Sequence, residues 1–335
     1  VTAPVSTGLV PPRNASRLWW ILGWCVLAVF LVVAAVALPW AEVMSALAGA
    51  RWHWVALAIA IWLAEWPLWI LQWVLLAPRQ HRPGFARMAQ VTGLCGTANA
   101  SVPMAGVVAS VGFLIVRGRM PASAAASLYA VDQLQTGIAK VAILALATLL
   151  LPVPDWLRTG LLSLTGAMVL FTLALAAAAH GGPWLRRLGL SLGERAGRLV
   201  RHGADFVEHL EAMRRPGLSL VTTVLALAKK GMEVVAVLAV QVAVGIEPSL
   251  AAAVLVVAAL GLTTMAPIAP GHLGVYEATV ILCYQSLGVP LPLATAAALI
   301  QHGVTFAVSF LMVGYLAWAL PREDRAGEDA PPAAS

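Results

Sequence analysis

Charge is scarce in this chain. Of 335 residues only 11% are Asp, Glu, Lys or Arg, while 61% are hydrophobic. A water-soluble domain of that length could not hide so much apolar surface, so the implied solvent is the bilayer. Cysteine is scarcer still. Cys25, Cys95 and Cys283 fall in three separate apolar segments, which excludes a disulfide framework and a cysteine-based metal site. No phosphate-binding glycine loop, zinc-type His/Cys cluster, nucleophile elbow or dinucleotide fingerprint occurs. ATP-driven work by this chain alone is therefore not expected, and neither is a cofactor or a metal. The net charge of +6 lies mostly in arginines of short loops and one longer segment. That distribution suits anionic headgroups at one membrane face and not nucleic acid.

What the chain has instead is long apolar runs. A span takes about 20 apolar residues, and residues 18–38, 52–77, 121–151, 159–180, 219–246 and 290–320 reach that length. Two further runs carry internal breaks. Residues 88–116 are interrupted around Asn99-Ala-Ser-Val-Pro103, and residues 250–287 at Pro267-Ile-Ala-Pro-Gly-His-Leu-Gly274. Proline removes a backbone donor and glycine loosens the helix, so such a break is tolerated at membrane depth only where it is buried in protein or lines a polar cavity. Each interrupted run is read as a hairpin that enters and leaves on one side.

The positive-inside rule supports that reading. With a cytoplasmic N-terminus, the loops bearing Arg79, Arg82 and Arg87, then Arg117 and Arg119, then the seven arginines of 181–217, all fall on one face. Treating the broken runs as full spans scatters them. The expected fold is an all-α polytopic membrane protein of about six full transmembrane helices plus two re-entrant helical hairpins, arranged as an inverted repeat. Residues 1–17 form a flexible cytoplasmic tail, 18–151 the first repeat, 152–320 the second, and 321–335 a disordered cytoplasmic tail. Within the second repeat, 181–217 carries apolar residues at spacings of three and four (Ala196, Leu199, Gly203, Phe206, Leu210, Met213), the pattern of an amphipathic helix on the cytoplasmic surface. A bacterial-type inner membrane with both termini cytoplasmic is the implied location.

Polar groups inside the apolar runs mark the candidate site, because an intramembrane ionisable residue is functional by default. Glu277 follows the second break by three residues. It can bind a cation or carry a proton, or it can cap its own helix. Pro270, Gly271 and Gly274 allow close backbone approach, with loop amides free to face a phosphate. His272 either adds a donor there or sits exposed at the outer interface. Asp132 and His302 occupy matching places near the midplane of two helices, beside Gln133, Gln135 and Gln301. They either grip a headgroup and relay protons or form a structural polar pair between the halves. Lys229, Lys230 and Glu233 lie mid-helix, with Lys229 and Glu233 sharing a face at i, i+4. They are either an internal pair with a spare lysine or a cationic site for a lipid phosphate. Lys140 is placed to reach the outer interface. Trp62, Trp66, Trp69 and Trp73 repeat at helical spacing beside Glu65 and Gln72, as helix packing or lipid contact, or as the aromatic wall of a groove.

These residues also carry a resemblance. Residues 267–278, PIAPGHLGVYEA, resemble the P-x-x-P-G-x-[LI]-G-V-x-E-A signature of the lysylphosphatidylglycerol synthase/flippase transmembrane family. Gly288-Val-Pro290, the alanine-rich stretch after it and Leu299-Ile-Gln-His302 are similar to the same family. So is Val131-Asp-Gln-Leu134, where the family has V-[ED]-R-L. The likeness covers roughly residues 15–320. In the first half the family's Asn-x-x-x-Pro is matched by Asn99 and Pro103, but the Arg and Gly-Glu that follow it have no counterpart in Met104–Val108. The resemblance implies a membrane protein that moves a phospholipid or lipid-linked intermediate between leaflets, with an anionic or lipid-linked headgroup as ligand. It does not imply aminoacyl transfer, which belongs to a separate soluble domain in the fused enzymes. Two other classes are a membrane-embedded lipid-modifying transferase and a non-catalytic partner of lipid or glycan biosynthesis enzymes. The candidate substrate-binding residues are Asn99, Pro103, Asp132, Lys229, Lys230, Glu233, Pro270, Gly271, His272, Gly274, Glu277 and His302.

Overall fold

The computed structural model describes residues 24–25, 28–101, 106–191, 203–265 and 270–328. Among them the chain is all helix. The first described helix, α1 (Ala28–Ala37), turns by 89° into α2 (Trp40–Ala48). The turn falls at Leu38-Pro39, where proline cannot continue the amide ladder. The expected straight first span is thus bent at its end. Then come α3 (Trp52–Leu76), α4 (Phe85–Ser101), α5 (Gly106–Val116), α6 (Ala122–Leu150) and α7 (Asp155–Ser191). A short α8 (residues 203–208) and α9 (Glu211–Arg214) lead into α10 (Pro216–Val244). The chain closes with α11 (Leu250–Thr263), a single turn at Pro270–His272, α12 (Val275–Ser286) and α13 (Leu291–Glu328).

Among the described residues, four helical stretches are long and apolar enough to cross a bilayer: Trp52–Leu76, Ala122–Leu150, Asp155–Ala179 and Leu291–Leu316. The bent α1–α2 pair makes up to five. The other two runs expected to span are 18–38, described only in part, and 219–246 in α10. α10 is as long as α6, at 29 residues each, but carries Lys229, Lys230 and Glu233 at its centre. A helix with three charges at mid-length needs partners inside the protein.

The first eight residues of the expected disordered tail, 321–328, are helical. α13 continues through Pro321 to Glu328, because a helix already nucleated adds Arg, Glu and Ala residues at little cost. Residues 1–17 and 329–335 lie outside the described residues, as does 192–202 of the proposed amphipathic segment. Residues 181–191 continue α7. Beyond the gap, Ala204, Val207 and Leu210 are buried, and Phe206 and Met213 pack on the bundle core. Arg214 ties this stretch down by donating to the carbonyls of Ala179 (3.2 Å) and Val207 (2.9 Å).

Both interrupted runs are helix–break–helix pairs whose arms pack on one another: α4 on α5, and α11 on α12. Thr279 donates to Thr263 across the second pair at 3.0 Å. The arms, 17 and 11 residues in the first pair and 14 and 12 in the second, are each shorter than a span of about 20. The most extensive helix contact in the molecule is α3 on α10, and around it the hairpins cross over: α4 packs on α13, and α11 on α6.

Two apolar cores result. One joins the C-terminal halves of α6 and α10 (Leu144, Ala147, Val237, Val240) to α11, α12 and the start of α13. The other joins the end of α3 and the start of α6 (Trp73, Leu76, Ala124, Leu128) to α4, Leu114 and Leu210. The arginine-bearing turns abut this second core through Ala77, Met120 and Leu210, while Val153 and Leu157 abut the first. The molecule's outside is apolar: Phe310, Leu162 and Leu170 are exposed, whereas Gln72, Gln135, Asp132 and His302 are buried. That inversion of the soluble pattern fits a lipid surround.

Candidate functional site

The second break is held by one histidine. His302 on α13 places Nδ1 2.7 Å from Glu277 Oε1 and Nε2 2.9 Å from the Gly271 carbonyl. A carbonyl only accepts, so Nε2 carries a proton and donates to it. On the other side Nδ1 and the carboxyl share a second proton, whichever atom formally owns it. The ring is clamped between Tyr276, stacked at 4.1 Å, and Phe306 at 4.6 Å. Glu277 Oε2 in turn accepts the Gly274 N–H at 2.7 Å, the acid's half of a capping box, at the start of α12. So Glu277 caps its helix and also anchors α12 to α13. Gly274 cannot be replaced in this arrangement. Its φ is 87°, and an added Cβ would come within 2.7 Å of the Phe30 ring.

Directly beside this latch lies a cavity of about 350 Å³. Its walls come from α3 (Trp62, Glu65, Trp66, Trp69), α6 (Lys140), α10 (Lys230, Glu233), α11 (Gly261, Thr264), the break (Gly271, His272) and α13 (Gln301, His302, Thr305). Lys230 and Glu233 form an ion pair one turn apart on α10. Glu65 interacts electrostatically with Glu233, Lys230 and Lys229. Lys140 interacts with Lys230 and Glu233, and with His272. The tryptophans are held in place: Trp66 donates to Thr92 at 2.9 Å and meets Tyr315 edge-on at 5.1 Å, while Trp69 meets Trp73 edge-on at 5.4 Å.

A separate polar thread lies towards the second core. Gln72 of α3 donates to Gln135 of α6 at 3.0 Å, and Gln135 donates to Thr222 of α10 at 2.5 Å. All three are buried, so the chain of amides fixes three helices at one level. Asp132 is buried one turn away. Gln133 donates to its Oδ2 at 3.2 Å, Trp73 lies beside it, and Lys229 supplies the positive charge that acts on it.

Against the sequence reading, the structure brings together Lys230, Glu233, Gly271, His272 and His302 at the cavity, with Gly274 and Glu277 behind it. Two expected pairings change. The Asp132–His302 pair does not form: His302 spends both nitrogens on Glu277 and Gly271, and Asp132 faces Gln133, Trp73 and Lys229. The ion pair on α10 is Lys230–Glu233 at i, i+3, not Lys229–Glu233 at i, i+4. Lys229 acts instead on Asp132 and Glu65. His272 lines the cavity, and so does Lys140. Asn99 lies in α4 and Pro270 opens the short turn, but their side chains, and Pro103 entirely, fall outside the described residues.

Glu65, Lys140, Gln301 and Thr305 were missed as site residues. A polar stripe at helical spacing along α13 (Gln301, Thr305, Ser309, in otherwise apolar sequence) was the available signal. Lys140 stands eight residues after Asp132, just over two turns, which signals only a similar face.

No curated protein and no solved structure matches the chain. A family model described as the lysylphosphatidylglycerol synthase TM region matches residues 20–312, most of its length, and the chain belongs to that family.

Proposed function

We propose that this membrane protein of the lysylphosphatidylglycerol synthase TM family moves a lipid headgroup between leaflets by alternating access around the central cavity. The observation that carries the reading is the cavity itself. It is charged, it lies beside a broken helix, and its walls come from both halves of the chain. Broken helices at a cavity between repeats are the recurring substrate site of secondary transporters. A volume of about 350 Å³ falls within the usual range of small-molecule sites, about 300–1,000 Å³.

The inverted repeat belongs to the same proposal. Its support is the crossed packing: α4 on α13 answers α11 on α6, around the central contact of α3 with α10. Residues 18–151 and 152–320 are the two units, and one rocks against the other. The gathering of Arg79, Arg82, Arg87, Arg117 and Arg119 in the turns at one end supports an orientation with that end, and both termini, in the cytoplasm of a bacterial-type cell.

The test is reconstitution into vesicles containing a trace of tail-labelled fluorescent phospholipid, followed by a membrane-impermeant quencher. Transport predicts protein-dependent loss of the inner-leaflet signal. Gly96→Phe is the matched control, because a Cβ at Gly96 already comes within 3.3 Å of Met312 and 3.7 Å of Trp69 at the cavity wall. The filled cavity is expected to return the signal to that of empty vesicles. Equal quenching with and without protein, across anionic and zwitterionic lipids, defeats the proposal.

A further inference from the structure

Resting on that reading, the charges around the cavity specify its ligand more narrowly. The lining holds two acids, Glu65 and Glu233, and two lysines, Lys140 and Lys230. Lys230 and Glu233 satisfy each other. The remaining two do not: among the described residues neither Glu65 nor Lys140 makes a hydrogen bond or a direct ion pair. Nor do they act on one another. Glu65 interacts with Glu233, Lys230 and Lys229, and Lys140 with Lys230, Glu233 and His272. Both reach the same ion pair, Glu65 from α3 and Lys140 from α6, as an acidic and a basic pole of the lining.

Each pole has neighbours suited to one kind of group. At the acidic pole, Trp62, Trp66 and Trp69 share α3 with Glu65 and line the same cavity. Indole faces beside a carboxylate are a receptor for an ammonium group. At the basic pole, the Lys140 stem lies against Gly261. His272 beside it has a buried Nδ1 with no hydrogen-bond partner. A lysine and an unsatisfied imidazole are a receptor for phosphate.

We infer that the cavity takes a zwitterionic phospholipid headgroup, its ammonium between Glu65 and the α3 tryptophans and its phosphate at Lys140 and His272. A purely anionic headgroup satisfies the basic pole alone and leaves Glu65 without a partner. This narrows the expectation of an anionic ligand drawn from the sequence, and the reason is that Glu65 and Lys140 entered the site together.

The experiment titrates the full chain in detergent with three soluble probes, read by tryptophan fluorescence: dihexanoyl phosphatidylethanolamine, dihexanoyl phosphatidylglycerol and free phosphoethanolamine. The expected order is the ethanolamine lipid at least about tenfold tighter than the glycerol lipid, the size of one lost charged hydrogen bond. Glu65→Gln is expected to erase that preference by weakening only the ethanolamine lipid. Lys140→Gln is expected to weaken both lipids by a similar factor. Glu65→Asp, which keeps the charge, should retain part of the preference and so separates charge from folding damage. Equal affinity for the two lipids in wild type, or equal losses for both in Glu65→Gln, overturns the zwitterion assignment. Free phosphoethanolamine binding as tightly as its lipid overturns the lipid source. The outcomes separate this inference from transport itself: lipid movement without headgroup preference defeats the inference alone, and headgroup preference without movement defeats transport alone.

Discussion

The latch at the second break and the charged cavity beside it are built from the same kinds of side chain, a few ångströms apart, with opposite results. In the latch every polar atom of His302 and Glu277 has a partner, and the ring is clamped on both faces. In the cavity one ion pair is closed while Glu65 and Lys140 have no direct partner. A fully connected buried network rigidifies its surroundings, and a partly connected one keeps a standing cost. For Lys or Asp at mid-bilayer that cost is about 2.5–3.5 kcal/mol on insertion scales. Such a cost persists only where something other than stability is served. The latch is built for rigidity, and the cavity is where the proposed function is placed.

The largest effect should come from breaking the latch. His302→Ala leaves Glu277 buried without its partner, and about 3–5 kcal/mol of stability should be lost. A clear drop in thermal midpoint by size-exclusion melting checks it. A midpoint near wild type would show that the two regions do not differ in the way described.

Next is the ion pair on α10. Lys230→Met alone strands Glu233, whereas Lys230→Met with Glu233→Leu removes both charges. The double variant should exceed the single in stability by about 3–5 kcal/mol or more, read in the same melting series. Should the double be the less stable of the two, the pair is structural after all.

A smaller loss, about 1–3 kcal/mol, is expected from Gln135→Leu, which leaves Gln72 and Thr222 each short of a partner. Because that thread lies outside the cavity lining, lipid binding by the folded fraction should be kept. Loss of binding at full stability would move the site towards Asp132.

The smallest stability effect belongs to Glu65→Gln, within about 1 kcal/mol of wild type, since no direct pair is broken. Transport of the ethanolamine lipid should nonetheless fall, while that of the glycerol lipid is kept. That combination is the sharpest form of the comparison, and marked destabilisation by Glu65→Gln would blunt it.

Much of the fold could be read in advance. Apolar run length placed α3, α6 and α13, and the Pro-Gly breaks marked both hairpins. Single-helix features were legible for the same reason: Glu277 three residues after Gly274 is a capping spacing, and Lys230 with Glu233 is a one-turn spacing. What failed was everything that depends on how helices meet. The position of His302 along α13 predicts its depth, not that Glu277 rather than Asp132 will stand opposite. Glu65 read as a companion of a tryptophan stripe, and Lys140 as a residue bound for the interface, because each is the sole charge in its stretch of helix. Only packing α3, α6 and α10 around one space makes them a pair of poles. The end of the first run at Leu38 was read correctly, while the 89° turn that Pro39 makes into α2 was not foreseen.

The balance of two acids and two lysines around the cavity has an electrical consequence. In alternating access, the carrier must also return with its cavity empty. A charge carried across the field gains or loses about 2.3 kcal/mol per 100 mV. With Glu65, Glu233, Lys140 and Lys230 all ionised, the four charges of the proposed site sum to zero, so an empty cavity returning in the proposed cycle would carry no net side-chain charge through the field. A net-neutral headgroup leaves that sum unchanged.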